Sequence, residues 1–324
     1  MKLLEVKDLK TYFHTENGVA KAVDGVSFSL EPGQVLGLVG ESGSGKSVTS
    51  LSIMGLISKV TGRYEGGQVL LEGRDILGLS EKEMTSIRGS QISMIFQEPM
   101  TSLNPVLTIE FQMVEAIRLH MKMSRKEARE RARTLLEQVG IPDPARRLRE
   151  FPSQLSGGMR QRVMIAMALA CEPKILIADE PTTALDVTIQ AQILDLINDL
   201  RRKMNIAVIF ITHDLGVISQ LADEVAVMYA GEIIEQAPAK ELFAHPLHPY
   251  TKGLLRSIPD LTVNTERLYG MEGLVPSLYD MPQGCHFGPR CQECEKGCTE
   301  THPQLLEIEP GHLVRCCRCG CKEA

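Results

Sequence analysis

The stretch "GESGSGKS", residues 40–47, fits the pattern G-x-x-x-x-G-K-[ST] at every required position. It follows "QVLGLVG" (34–40), a short apolar run typical of a strand buried on both faces, and it precedes "KSVTSLSIMGLI" (46–57), whose spacing is helical. Glycines let backbone N–H groups converge on phosphate oxygens, and the N-terminus of a helix favours negative charge. The stretch therefore predicts a phosphate-binding loop in an α/β domain.

Two side chains of this loop carry the predicted chemistry. Lys46 is expected to reach the β- and γ-phosphates of a nucleotide, and the Ser47 hydroxyl is expected to ligate Mg²⁺. The alternative is a flexible Gly/Ser turn that matches the pattern by chance. Other motifs must decide between the two.

A second apolar strand ends in two carboxylates, in "ILIADEP" (175–181). Asp179 is placed to hold the metal, and Glu180 could polarise an attacking water as a general base. His213 follows the apolar run "VIFIT", and Gln97 follows "ISMIF". Taken singly, each of these residues could equally be an ordinary polar residue at the end of a strand.

Taken together, the motifs identify a family. "LSGGMRQR" (155–162) resembles the signature of ATP-binding-cassette (ABC) ATPases, with Met159 where Gln is commonest, and "TALD" (183–186) follows the two carboxylates. The order of all six motifs is the order of that family, and the resemblance covers about two-thirds of the chain. It implies an α/β fold: a P-loop ABC ATPase cassette with an antiparallel β subdomain, a helical subdomain and a C-terminal Cys-rich extension.

The resemblance also implies a site. Such cassettes bury ATP between two subunits arranged head to tail, with Lys46 and Ser47 of one subunit facing Ser156 and Gly158 of the other. Gln97 would contact Mg²⁺ and the water, and His213 would hold the γ-phosphate. Tyr12 would stack on adenine, with its neighbour Phe13 as a competitor. The implied contacts to ATP and Mg²⁺ are Tyr12, Gly40, Ser42, Gly43, Gly45, Lys46, Ser47, Val48, Gln97, Ser156, Gly157, Gly158, Asp179 and Asp186, with the metal at Ser47, Gln97 and Asp179.

Composition narrows the class of protein. The net charge of −6 disfavours sequence-independent binding to nucleic acid. The N-terminus has no pattern of a signal peptide, and the most apolar stretches are far shorter than the roughly 20 residues of a membrane span. We expect an ABC nucleotide-binding domain over 1–235, with its helical subdomain at about 98–165. Residues 236–324, where prolines become frequent, are expected to form an appended extension.

Eight of the nine cysteines lie between Cys285 and Cys321. Without a sign of export they are expected to be metal ligands rather than disulfides. "HPLHPYTKGLLRSIP" (245–259) and the cysteine segment resemble the C-terminal extension of dipeptide/oligopeptide importer ATP-binding subunits. That resemblance implies a [4Fe–4S] cluster, although Zn²⁺ would accept the same four thiolates. The implied ligands are Cys285, Cys291, Cys298 and Cys316, with Cys294, Cys317, Cys319 and Cys321 as alternatives.

The biological role has competing interpretations. A soluble ABC ATPase acting on DNA or ribosomes is disfavoured, because the chain has no sustained heptads, a single cassette and an acidic balance. The resemblance implies an energising subunit for import of di- or oligopeptides, with nickel or another small solute as the alternative cargo. The implied partners are a second, related ATPase subunit, two permeases and an extracellular binding protein. They would meet at the cytoplasmic face of the cell membrane, with residues 98–150 receiving the permease.

Overall fold

The computed structural model describes residues 2–97, 102–182, 186–257 and 270–320, without the side chains of residues 187 and 320. Two compact units are present. The first comprises Met1–Glu31, Val35–Leu77 and Phe210–Ala324, and the second comprises Pro32–Gln34 and Gly78–Ile209. The domain boundary expected at residue 235 and the helical insertion expected at 98–165 stay predictions.

The described strands have the following bounds: β1 Leu4–Thr15, β2 Gly18–Leu30, β3 Val35–Val39, β4 Gly62–Leu71, β5 Arg74–Asp75, β6 Ile92–Ile95, β7 Ile175–Asp179, β8 Ala207–Thr212, β9 Glu224–Tyr229, β10 Glu232–Pro238, β11 Leu306–Glu309 and β12 His312–Val314.

The described α-helices have the following bounds: α1 Lys46–Ile53, α2 Glu81–Ile87, α3 Ile109–His120, α4 Arg125–Gln138, α5 Pro144–Arg147, α6 Gly157–Leu169, α7 Val187–Met204, α8 Leu215–Leu221, α9 Ala239–Ala244, α10 Pro249–Arg256, α11 Lys296–Glu300 and α12 Cys317–Gly320. Short 3₁₀ turns occupy Pro152–Gln154 and Gly288–Arg290. None of the described helices has both the length and the apolar composition that a membrane span requires.

The first unit contains an antiparallel sheet in the order β2-β1-β4-β5. Residues 1–30 alternate polar and apolar positions, as half-buried strands do, and β1 pairs antiparallel with β2 from Leu4↔Leu30 to Thr15↔Gly18. A second run of strands in this unit has the order β11-β12-β10-β9-β3. All five residues of β3 are buried, which explains why it is a continuous apolar run, and it pairs with β9 in parallel.

The last strands of this unit were not predicted. Strand β10 pairs antiparallel with β9 and β12, although no strand is predicted for this part of the sequence. The reason is that β10 buries two carboxylates, Glu232 and Glu235, and so lacks the continuous apolar sequence that is typical of a buried strand. His312 Nε2 lies 2.8 Å from the Glu235 carboxylate. Such buried charges need partners from elsewhere in the fold.

In the second unit, β6 and β7 run parallel and both are fully buried. The helices α3 and α4 occupy much of the segment from residue 108 to residue 140. Ser124 and Glu127 form a capping box at the start of α4. The apolar face of this helix and its C-cap is buried, at Ala128, Ala132, Leu135, Leu136 and Val139.

Candidate nucleotide-binding site

The phosphate loop joins β3 to α1, as the sequence predicts. Two glycines are required by its path. Gly40 has a φ of +151° and Gly45 a φ of +103°, and a Cβ atom there would lie 2.2 Å from the Met228 carbonyl oxygen and 2.4 Å from the Ala22 carbonyl oxygen, respectively. Any side chain at either position would displace the backbone of the loop or of its neighbours.

Lys46 lies inside this loop. Its Nζ donates to the carbonyl oxygens of Gly40 at 2.8 Å and Glu41 at 2.9 Å, and the residue is only 5% exposed. The ammonium group is thus held at the first turn of α1, close to the backbone N–H groups of the loop. A cation and a helix N-terminus at one place suit a polyphosphate.

The C-terminal extension holds the loop from outside. Arg290 donates through Nη1 to Glu41 Oε2 at 2.6 Å and through Nη2 to Glu41 Oε1 at 3.0 Å, and only 4% of the Arg290 side chain is exposed. The backbone N–H of Glu41 donates to Tyr250 Oη at 2.9 Å. Glu41 therefore has its carboxylate and its amide fixed by residues more than 200 positions later in the chain. We call this arrangement the loop clamp.

A buried aromatic cluster supports the loop clamp. The ring centroids of Tyr229 and Tyr250 are 4.8 Å apart, and each lies 5.4 Å from that of Phe287, all in edge-on geometry. The Arg290 guanidinium lies 5.7 Å from the Tyr229 ring centroid, within cation–π range. Packing against these rings thereby orients the Arg290 side chain towards Glu41.

A cavity of about 250 Å³ lies beside the loop, lined by Gly40, Glu41 and His213 together with Leu254 and Met271. His213 follows β8 directly. The fold of the first unit therefore brings this histidine to the phosphate loop, although the two are more than 160 residues apart in sequence.

In the second unit, two predicted catalytic residues meet. Gln97 Nε2 donates to Glu180 Oε2 at 2.9 Å. The contact follows from topology, because β6 and β7 are parallel neighbours and their carboxyl ends reach the same edge. Asp179, the last residue of β7, is 4% exposed. Glu180 has a φ of +43°, a left-handed conformation that costs free energy for a residue other than Gly and often marks a functional site.

The signature residues begin α6. Ser156 is the N-cap of this helix, and its Oγ accepts from the backbone N–H of Met159 at 3.3 Å. No described atom lies within 4 Å of a Cβ placed on Gly157, so the first turn is open. Asp186 caps α7 in the same way, accepting from the N–H of Ile189 at 3.0 Å. Residues 183–185 of "TALD" lie outside the described residues.

Both candidates for stacking on adenine lie in β1. Tyr12 is half-buried, and its hydroxyl donates to Asp24 Oδ1 at 2.6 Å, while Lys21 Nζ lies 5.4 Å from the ring centroid. Burial and the hydrogen bond to Asp24 raise the pKa of Tyr12, so the phenol is neutral. Phe13 is half-buried too. Tyr12 is thus tied to β2 by its polar end, and both aromatics stay candidates.

His248 next to the loop clamp predicts a pH dependence. This histidine is 1% exposed, and its Nδ1 accepts from the N–H of Tyr250 at 3.0 Å as the N-cap of α10. Burial, with the charge of Lys252, lowers its pKa to about 3, from 6.5 in the unfolded chain. Its contribution to stability is complete above pH 6.5 and is lost as the pH falls towards 3, at up to about 1.4 kcal/mol per pH unit.

The variant His248→Asn keeps a capping acceptor but does not titrate, so its stability is expected to fall less steeply between pH 6.5 and 5 than that of the wild type. Urea denaturation at several pH values measures this. His245→Asn, a change at an exposed histidine nearby, serves as the control and should keep the wild-type slope. Equal slopes for His248→Asn and the wild type would contradict the prediction.

The phosphate loop, the carboxylate pair at the end of a parallel strand and the glutamine beside it define the class: a P-loop nucleotide-hydrolysing protein. Residues 23–183 match the family model described as "ABC transporter", and residues 234–298 match "Oligopeptide/dipeptide transporter, C-terminal region". The chain belongs to the ABC transporter family of ATP-binding proteins, and it is an ABC-type ATPase.

The relatives cover nearly the whole chain. The oligopeptide transport ATP-binding protein AppD of Bacillus subtilis is 53% identical, over 97% of this chain and 96% of its own. The dipeptide transport ATP-binding protein DppD of Escherichia coli is 50% identical, over 98% of this chain and 96% of its own. Among solved structures, the dimeric ATP-binding cassette MJ0796 with ADP and phosphate superposes with a TM-score of 0.65 at 28% identity, over 73% of this chain and 98% of its own.

The expectation of a [4Fe–4S] cluster is wrong. The AppD and DppD relatives and the matching family model point to ordinary ABC ATPases without such a cluster. Burial raises the pKa of Cys285 to about 11 and also raises that of Cys291, whereas a hydrogen bond with Cys319 lowers the pKa of Cys316 to about 6, so these expected ligands do not share one electrostatic environment. Counting cysteines predicted a ligand set but could not test this environment.

The zinc alternative finds no support in the cysteine geometry. Among the described residues, no three cysteine sulfurs lie within 4.8 Å of one another, as the ligands of one ion would. Cys321 lies outside the described residues. The described cysteines are free thiols. Cys298 is buried and the others are partly exposed.

Proposed function

We propose that this chain is the ATP-hydrolysing subunit of a membrane importer of dipeptides or oligopeptides. The observation that carries the proposal is the C-terminal extension: it matches the region described for oligopeptide/dipeptide transporters, and it contributes the Arg290 and Tyr250 contacts to the phosphate loop. The names of the AppD and DppD relatives support the same cargo.

The proposed nucleotide contacts are those that the motifs imply. Lys46 and the loop N–H groups bind the β- and γ-phosphates, and His213 holds the γ-phosphate. The oxygen atoms of Ser47, Gln97 and Asp179 are of the hard kind that Mg²⁺ prefers, and a bound Mg²⁺ would neutralise phosphate charge. The signature helix α6 offers Ser156, Gly157 and Gly158 to the nucleotide of a second subunit, in a head-to-tail dimer.

Glu180 is the proposed general base. Its carboxylate takes a proton from the attacking water as the water attacks the γ-phosphorus, and the bond to the ADP leaving group breaks. Gln97 donates to Oε2 of this carboxylate, and its neutral amide adds no charge and gives up no proton. The hydrogen bond thus orients the base without neutralising it.

The proposed permease-docking surface is in the second unit. A groove of about 740 Å³ runs along α3, and Phe111 and Leu119 in its lining are 49% and 66% exposed. Glu115 and Arg118 give the same groove charged edges. An apolar groove with a polar rim suits a helix of a membrane subunit. We further propose two permeases, a second related ATPase and an extracellular binding protein as partners, which would place the chain peripherally at the cytoplasmic face of the membrane.

Solute-stimulated hydrolysis tests the cargo. The assembled transporter in vesicles, with its binding protein, is expected to hydrolyse ATP several-fold faster when a panel of di- and oligopeptides is added. Free amino acids and a chelated nickel ion are the matched controls and should leave the rate at its basal value. Stimulation by nickel alone, or by no peptide of any length, would contradict peptide import.

A further inference from the structure

We propose that Glu232, His286 and His302 form a binding site for a divalent first-row metal ion such as Zn²⁺ or Co²⁺, which ties the C-terminal extension to strand β10. Their ligand atoms all lie within 4.8 Å of one another. Glu232 is the first residue of β10, and the two histidines belong to the extension. This site uses none of the cysteines and none of the nucleotide-binding residues.

The distances are those of ligands around one ion. Glu232 Oε2 lies 3.0 Å from His286 Nδ1, and Glu232 Oε1 lies 3.0 Å from His302 Nε2. Two ligands bound roughly 2.1 Å from a metal, at tetrahedral or octahedral angles, are separated by roughly 3.0–3.4 Å. The centroids of the two imidazole rings are 4.5 Å apart, so both rings converge on the same carboxylate.

Two buried atoms of the group lack the partner that burial demands. Glu232 Oε2 and His286 Nδ1 have no hydrogen bond of acceptable geometry among the described residues, although they are 3.0 Å apart. Only 6% of the Glu232 side chain is exposed. Leaving a buried polar atom unpaired is costly, and one ion between the two atoms would satisfy both.

His302 is held in the tautomer that a metal ligand needs. Its Nδ1 lies 3.1 Å from the Gly284 carbonyl oxygen, which can only accept a hydrogen bond, so Nδ1 carries the proton. A neutral imidazole then presents its Nε2 lone pair to the group. This support by a backbone carbonyl is usual for histidines that bind metals.

The site has an opening to solvent. A cleft of about 510 Å³ is lined by the three residues together with Lys10, Asp24 and Arg315. The cleft gives an ion a path of entry and leaves room for water as a further ligand. Two imidazoles with one carboxylate favour ions such as Zn²⁺ and Co²⁺ over Mg²⁺ and Ca²⁺, which prefer oxygen alone.

Arg315 offers a competing arrangement. Its Nη1 lies 3.5 Å from Glu232 Oε1, so a protonated His302, the carboxylate and the guanidinium could form an ion-paired group without a metal. The guanidinium also donates hydrogen bonds to the carbonyl oxygens of Ile233 and Pro303, so Glu232 is not its sole acceptor among the described residues. The two arrangements differ in one measurable property, the binding of one ion.

Metal binding by the full-length chain tests the site. After treatment with a chelator under reducing conditions, the protein is titrated with Zn²⁺ and, separately, with Co²⁺, and the bound ions are counted after dialysis. The wild type is compared with the double variant His286→Asn/His302→Asn and with His245→Asn, which removes an exposed imidazole elsewhere. Far-UV circular dichroism and thermal unfolding report whether each variant folds.

The double variant is expected to bind one ion fewer than the wild type and His245→Asn, and to lose a rise of several degrees in Tm on adding Zn²⁺. The Co²⁺ ion that the wild type binds and the double variant does not should contribute no thiolate-to-cobalt absorption to the spectrum. This distinguishes it from Co²⁺ bound to the cysteines. Equal numbers of ions in the wild type and the double variant would overturn the site, as would a wild type that binds none. If the double variant does not fold, Glu232→Gln, which keeps the side-chain shape, replaces it with the same expected loss.

Discussion

Replacing Glu180 by Gln is expected to lower ATP hydrolysis by the assembled transporter roughly 10²–10⁴-fold while ATP binding persists. The amide keeps the size of the carboxylate but cannot take a proton from water. Glu180 accepts a hydrogen bond from Gln97 at 2.9 Å, and its backbone has a left-handed φ of +43°. Steady-state hydrolysis and nucleotide affinity, both in the complete complex, measure the two halves of this prediction.

The chain offers a matched control for that experiment. Glu172 is also a glutamate with a positive φ, +53°, but it is exposed and paired with Arg131. Glu172→Gln should leave hydrolysis within about twofold of the wild type, because the change lies on the surface away from the β6–β7 edge. Turnover in Glu180→Gln equal to that in Glu172→Gln would remove Glu180 from the role of base.

Much of the site could be predicted because its signals are local. The phosphate loop and the carboxylates at the end of β7 each depend on a few neighbouring residues with a fixed spacing. Parallel strands then bring distant motifs to one edge, which is how Gln97 reaches Glu180. Local pattern and simple topology are sufficient to predict where these residues lie, while their roles in binding and hydrolysis stay predictions.

The contacts of the extension could not be predicted in this way. Glu41 fills a variable position of the phosphate-loop pattern, and nothing in its neighbourhood indicates that Arg290 will pair with it. Glu232 is a charged residue in the buried strand β10, and the sequence near it does not indicate that His286 and His302 lie beside it in the fold. The error about the iron–sulfur cluster has a related cause, since the number of cysteines does not report the surroundings of each thiol, which raise the pKa of Cys285 and lower that of Cys316.

The variant Arg290→Met is expected to weaken ATP binding roughly 5- to 150-fold. Methionine fills much of the space of the side-chain stem but leaves the Glu41 carboxylate without its bidentate partner. Removing one member of a buried charged pair costs several kcal/mol, but Glu41 is 29% exposed and can regain water, so we expect about 1–3 kcal/mol. We expect the change to affect the phosphate loop, because the backbone carbonyl oxygen of Glu41 also accepts a hydrogen bond from Lys46 Nζ at 2.9 Å.

A double-mutant cycle with Glu41→Gln separates the pair from its surroundings. If the ion pair orders the loop, the two single variants each weaken binding of a fluorescent ATP analogue, and the double variant is little weaker than Arg290→Met alone. Arg318→Met is the control, since Arg318 is 43% exposed and pairs with Glu293 in the same extension, and its Kd should stay at the wild-type value. Should Arg290→Met bind ATP as tightly as Arg318→Met, the Arg290–Glu41 ion pair would have no part in ATP binding. A selective loss in Arg290→Met would instead make the extension a working part of the nucleotide site, since Arg290 contacts the phosphate loop through the Glu41 carboxylate.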